Sequence, residues 1–231
     1  MVFEKLEKRI IISGTLEAVT PIHIGSGKSE AEIGMADLPI LTDPDGKPYI
    51  PGSSIKGRVR AEAERIAKQG KYEVCAPPNV NTMCGTLKND PKDFCICCRI
   101  FGTAGKISVA SKVRFRDALL LGKVEALLER TGIAIDREKG TVARGALYTI
   151  QAVPAGTKFA LEIVGENLAE EELQLLKAAL KSVEDSSLGG SSSRGFGKVK
   201  ISIDTVRERT AEYYLGKKEE AVVSGKNWLG E

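Results

Sequence analysis

The stretch "SLGGSSSRGFGKVKI", residues 187–201, sets four glycines, three consecutive serines and three basic residues between a helical pattern and an alternating strand pattern. That order of elements restricts the fold more than any other feature of the chain. A dinucleotide-binding turn runs the other way, from strand to helix. The phosphate loop of nucleoside triphosphatases needs Lys and then Ser or Thr after its second glycine, to reach the phosphates and the magnesium ion. Gly190 and Gly195 have the right separation, but Phe196 follows. What remains is a helix-to-strand return, either a tight turn the fold needs for itself or a backbone path that passes close to phosphate.

The flanking patterns extend this reading. "KRIIISGTLEAVT" predicts a first strand stopped by Pro21, and "IHIGSGKSEAEIG" a loop or short hairpin. "DPDG" is a turn, with Pro44 presetting its backbone angle. A helix is expected from Ile55 to Lys68, capped by Ser53 or Ser54, with Ile55, Val59, Ala63 and Ile66 on its buried face. Its early cations suit either a phosphate platform or a solvated amphipathic face.

"KISVASKVRFRDALL" predicts a strand ending near Asp117, and 122–153 a short helix followed by a hairpin-like excursion. "TKFALEIVG" is read as the next strand. A second helix is expected over Ala169–Glu184, with Leu173, Leu176, Leu180 and Val183 as its apolar stripe, before the strand "KVKISI". The tail after Asp204 is charged and less periodic, an appended helix or a flexible segment. With the insertions removed the order is β-α-β twice. The expected fold class is therefore α+β, a ferredoxin-like (RRM-like) βαββαβ palm with large insertions.

All five cysteines fall between Cys75 and Cys98. Such clustering is wrong for a disulfide framework and right for a metal site. Cys95 and Cys98 have the two-residue separation that lets a backbone turn around one ion, so Cys75, Cys84, Cys95 and Cys98 are assigned as ligands of a structural Zn(2+), with Cys97 spare. Four thiolates leave no open position for catalytic water. The single histidine, His23, rules out a two-histidine acid–base pair, and is read either as a packing residue or as one near substrate.

The formal charge of +3 over 231 residues excludes a uniformly basic nucleic-acid coater but leaves room for local positive surfaces. No apolar run reaches the roughly 20 residues of a membrane helix. Cytoplasmic localisation without a membrane partner is the expectation.

Seven blocks in order, "HIGSG", "ADLPILTDPDGKPYIPGSSIKGRVR", "CRIFG", "VRFRDALL", "IDREKGTVARG", "VPAGTKF" and "LGGSSSRGFGKVKI", resemble the Cas7-like RAMP superfamily, on its branch of backbone subunits of type III CRISPR effectors. The resemblance spans about Ile10 to Ser202. It implies a subunit that assembles with copies of itself and with other type III effector subunits along a guide CRISPR RNA, and an endoribonuclease that cuts complementary target RNA at regular intervals. The alternative is a non-catalytic RNA-binding scaffold.

Carried over by position, the resemblance implies a catalytic Asp37 working with Mg(2+) or another divalent cation. It implies guide-backbone contacts by Ser53, Ser54, Lys56 and Arg60 and matches the family's signature loop at Ser193 to Lys198; His23, Arg58, Ser193, Arg194, Gly195, Phe196 and Lys198 complete the candidate RNA-binding set. Its domain plan is a RAMP domain over 1–206, with a cysteine-rich insertion at 70–100 and a thumb-like insertion at 121–155, followed by a C-terminal extension over 207–231. The family's zinc insertion often uses a histidine ligand; the all-cysteine set departs from that.

Overall fold

The computed structural model describes residues 5–26, 36–70, 72–225 and 228–230. Its elements are β1 (Lys8–Ala18), β2 (Tyr49–Ile50), α1 (Gly52–Gln69), α2 (Cys84–Leu87), α3 (Ile96–Phe101), β3 (Val113–Phe115), β4 (Ala118–Leu121), β5 (Leu128–Asp136), β6 (Thr141–Ala152), β7 (Lys158–Glu166), α4 (Glu170–Asp185), β8 (Val199–Thr210), α5 (Ala211–Tyr214) and β9 (Ala221–Ser224). The class is mixed α and β with antiparallel sheets. The main sheet has seven strands in the order β2-β4-β7-β1-β8-β9, with β3 also on β7, and β5 and β6 form a separate two-stranded hairpin.

β1 is central because it can pair on both edges and bury one face. It runs antiparallel to β7 and to β8, and Ile10, Ile12, Leu16 and Ala18 are buried. The pairing is irregular at one place, between Ser13 and Gly14, where the register with β8 skips Asp204 while β1 keeps its alternation. A Cβ on Gly14 would lie 2.1 Å from the Ser202 carbonyl oxygen, so only glycine fits this irregularity. The buried residues of β1 join those of β7 and β8 in one core with Ile55, Val59 and Ala63 of α1 and Leu176, Leu180 and Val183 of α4.

The helices form where the apolar spacing predicts, with two changes. α1 begins at Gly52, so Ser53 and Ser54 lie within its first turn rather than capping it. The Asp117 carboxylate instead accepts the Gly52 N–H at 2.8 Å, joining the helix start to the β3–β4 turn. Glu62, which the apolar pattern would place outside, is buried between the helices; it pairs with Arg58 and Arg65 and accepts the Ser182 hydroxyl at 2.9 Å.

Several expected elements differ. The strand expected to end near Asp117 is split into β3 and β4, because Asp117 turns its carboxylate to the Gly52 N–H at the start of α1. No helix forms between 122 and 127. The segment "LERTGIAID", whose Thr and Ile residues suit a strand, pairs with β6 and becomes β5. The charged tail is neither a helix alone nor loose: β8 continues to Thr210 across the expected boundary at 206, with β9 on its outer edge. Its charges are used in pairing, as Lys8–Glu208 at 3.4 Å and Arg209–Glu220 at 2.6 Å show. The loop or hairpin expected after Pro21 lies, for 27–35, outside the described residues. No helix among the described residues is long and apolar enough to cross a membrane.

Candidate functional site

The cysteine-rich stretch has almost no apolar material of its own apart from Phe94, which shares a small buried cluster with Cys84 and Cys98. α3 faces two ways. Ile96, Cys97, Ile100 and Phe101 enter the main core, while Cys98 turns to Cys75, Cys84 and Cys95. The stretch expected as an insertion is thus anchored through core residues at its end.

The four sulfurs all lie within 4.8 Å of one another, with Cys75 and Cys98 3.3 Å apart and Cys95 and Cys75 3.8 Å apart. Tetrahedral zinc–thiolate bonds of about 2.3 Å require sulfur separations of about 3.8 Å. The set can hold a metal ion. The Cys98 thiol, hydrogen-bonded to Cys95, holds the Cys95 thiol well below the usual thiol range. Burial pushes Cys97 up to about 12, which keeps the fifth cysteine a neutral core side chain.

The glycine-rich return packs on three neighbours. Gly190 N–H donates to the His23 carbonyl at 2.8 Å and Gly197 N–H to that of Pro21 at 2.8 Å, seating the loop on the segment after β1. Gly189 and Gly197 have positive φ, and a Cβ on either would meet a backbone oxygen at 2.4 Å. Gly195 has φ +88 but open space around its Cβ position. Gly197→Ala is therefore expected to cost about 2 kcal/mol or more, and Gly195→Ala about 1 kcal/mol; denaturant unfolding of the two variants measures the difference.

Phe196 is buried against Ile150 and Ala152 of β6, with the Arg130 guanidinium 4.6 Å above its ring, so it acts here as the peg that fixes the loop to the hairpin. Ser193, Arg194 and Lys198 are exposed. Arg194 donates to the Tyr148 hydroxyl and lies over its ring. A groove of about 570 Å³ is lined by Thr20, Ser187, Ser192, Ser193 and Lys198, among others. Hydroxyls, exposed amides and cations there match what an RNA backbone offers.

Helix geometry divides the predicted α1 residues into two flanks. Ser54 and Arg58 share one, where Arg58 donates to Ser186 at 3.2 Å at the head of the glycine-rich return. Ser53, Lys56 and Arg60 share another. Arg60 donates to the Gly102 carbonyl at 3.0 Å and to Glu64 at 2.8 Å, tying α1 to the end of α3. Lys56 is half-buried beside it, and burial followed by repulsion from Arg60 lowers its pKa. An anion on this flank would relieve that repulsion.

Asp37 is exposed, and its Oδ2 accepts the Thr149 N–H at 2.7 Å. Leu38 is bridged to Ile150, and the Ile40 N–H donates to the Gln151 side chain at 3.2 Å. His23 is buried, its Nδ1 2.7 Å from the Gln151 carbonyl oxygen. The structure therefore brings His23, Asp37 and the loop 194–196 to one strand, β6. Arg130, Tyr148, Thr149 and Gln151 were missed by sequence reasoning, and no motif marks them.

The chain thus combines mixed α and β structure with a four-cysteine cluster that can hold a metal ion and a glycine-rich return braced on a hairpin. The RAMP superfamily profile matches residues 15–200, and the chain belongs to that family. The relatives are specific: the CRISPR system Cms endoribonuclease Csm3 of Methanocaldococcus jannaschii is 36% identical over 97% of this chain and 92% of its own length. The protein of the same name from Methanothermobacter thermautotrophicus is 31% identical over 95% and 94%. Among solved structures, a chain of the Csm3-Csm4 subcomplex of the type III-A CRISPR-Cas interference complex superposes with a TM-score of 0.57 at 29% identity, over 97% of this chain and 94% of that one.

Proposed function

We propose that this chain is a guide-RNA-binding backbone subunit of a type III CRISPR effector and an endoribonuclease that cuts target RNA complementary to the guide. The observation that carries the reading is the placement of Asp37, an exposed carboxylate fixed by the Thr149 N–H at the foot of the hairpin, in a chain whose relatives are named endoribonucleases. Copies of the chain along one guide would repeat that carboxylate at a constant spacing, hence cuts at regular intervals.

RNA carries its own nucleophile, the 2′-hydroxyl. The protein's task is to hold it in line with the phosphate and to favour the charge that develops. The hairpin β5–β6 would occupy the thumb position and displace a nucleotide, unstacking the step to be cut. The loop 193–198, His23 and the two flanks of α1 would hold the guide backbone, so that the target strand is presented to Asp37. A divalent cation, Mg(2+) or another, would be held by Asp37 with RNA phosphate and would supply charge neutralisation. Zn(2+) would be held by Cys75, Cys84, Cys95 and Cys98, in a structural role. The order β8-β1-β7-β4, covered by α1 and α4, supports the ferredoxin-like palm, into which the cysteine-rich stretch and the hairpin are inserted.

Reconstituted complex incubated with guide-matched RNA, with and without magnesium, tests the reading. Internal cuts at constant spacing are expected; protection of the RNA without cuts would favour the scaffold alternative. Arg194→Ala is expected to weaken guide binding roughly 10-fold, as the loss of a charge-assisted phosphate contact does, and to reduce the salt dependence of binding. Filter binding at two salt concentrations measures both.

A further inference from the structure

Four consecutive residues of β6 hold Asp37, His23 and the glycine-rich loop. Tyr148 carries Arg194, through its hydroxyl and the face of its ring. Thr149 gives its N–H to Asp37 and its carbonyl to Leu38 N–H at 3.0 Å. Ile150 packs on Phe196 and bridges Leu38. Gln151 holds His23 and Ile40. Alternation along a strand explains the division of labour. The side chains of Tyr148 and Ile150 project to the loop side, while the outward backbone groups of Thr149 and Gln151 bind the segment that carries Asp37.

The loop is held to this strand in a way that RNA can alter. Arg194 is exposed, and its guanidinium has five N–H donors in a fixed plane, so it can keep Tyr148 and still reach a phosphate. The Arg130 guanidinium donates to the Arg194 carbonyl at 3.3 Å and stacks on Phe196, which closes the clasp from the hairpin side. Arg194 thus joins an exposed, phosphate-competent surface to Tyr148, whose neighbour Thr149 holds the Asp37 carboxylate.

We infer that Tyr148 is a positioning residue: it couples the guide-facing loop to Asp37 through β6, so that the seated guide sets the carboxylate. This rests on the reading of Asp37 given above. Tyr148 touches no reacting atom, and its effect belongs in the rate of cleavage at saturating target rather than in target affinity.

The test is a double-mutant cycle in reconstituted complexes purified at equal guide occupancy. Tyr148→Ala is expected to lower the single-turnover cleavage rate about 10-fold with the target concentration for half-maximal rate unchanged, and Tyr148→Phe, which keeps the ring and loses the hydroxyl, about 3-fold. Because Tyr148 acts through Arg194, the Tyr148→Ala/Arg194→Ala double variant should cut no more slowly than the slower single variant. Wild-type rates in both Tyr148 variants, or single effects that multiply in the double variant, would overturn the coupling. Should Tyr148→Ala fail to assemble, Tyr148→Phe and its double variant with Arg194→Ala decide the question in the same way. Asp37→Ala is run alongside. Cutting retained there would sink the assignment of Asp37, whereas Asp37→Ala dead with Tyr148 variants at full rate would sink this inference alone.

Discussion

Replacing Asp37 by alanine is expected to leave guide binding, target binding and assembly intact and to reduce target cleavage by at least about 10²–10³-fold, the loss typical of one electrostatic group in a reacting site. The selectivity follows from the position of the side chain. Asp37 is exposed and outside every buried cluster, so truncation leaves no cavity. What it removes is one acceptor for the Thr149 N–H and one negative charge. Asp37→Asn separates these two roles. An amide oxygen can still accept the Thr149 N–H, so a merely anchoring Asp37 would tolerate the change, whereas a carboxylate needed for its charge would not. Gel analysis of internally cut products from both variants decides it; cutting by Asp37→Ala at the wild-type rate would remove the residue from the reaction.

The second large effect concerns the cysteines. The purified chain is expected to carry about one zinc ion, and a Cys95→Ser/Cys98→Ser variant to carry almost none. Metal binding and folding are one free energy where a segment lacks a core of its own. Phe94 is the main apolar side chain that the cluster buries beside its sulfurs, so the variant should melt well below the parent and be cut by protease between 72 and 95. Cys97→Ala is the control, since that thiol sits in the main core and should lose some packing stability but no zinc. Zinc retained in the double serine variant, or lost in Cys97→Ala, would overturn the ligand set. Loss of RNA cleavage is not expected to follow directly, because four thiolates offer no place for a reacting water.

Much of the fold was legible because the signals are local. The stripes of α1 and α4 follow from the 3.6-residue period, and β1 from alternation. The fifth cysteine was set aside on spacing alone, and the geometry agrees: Cys95 and Cys98, three apart with one helical turn beginning between them, converge, while Cys97 points the other way. Errors fell where local preference and pairing compete. "LERTGIAID" is a strand because β6 folds back on it across a four-residue turn, and "TVRERT" because β1, distant in sequence, offers an edge. Asp117 could not be read as the cap of α1, since it is 65 residues from Gly52.

The chain by itself determined the kinds of groups present and their local order: a helix-to-strand return rich in glycine and hydroxyls, a cluster of thiols with one two-residue spacing, a carboxylate after a loop, and cations at the start of a helix. Tertiary structure decided which of them act together. It divided Arg58 from Arg60, because two helical steps turn the side chain by about 200°, sending one to the return and the other to α3. It buried Phe196 while leaving Arg194 outside, because a strand beneath the loop accepts a ring from one position and a hydrogen bond from another. It also placed Asp37 on Thr149, a contact across 112 residues that only the pairing of distant segments could create.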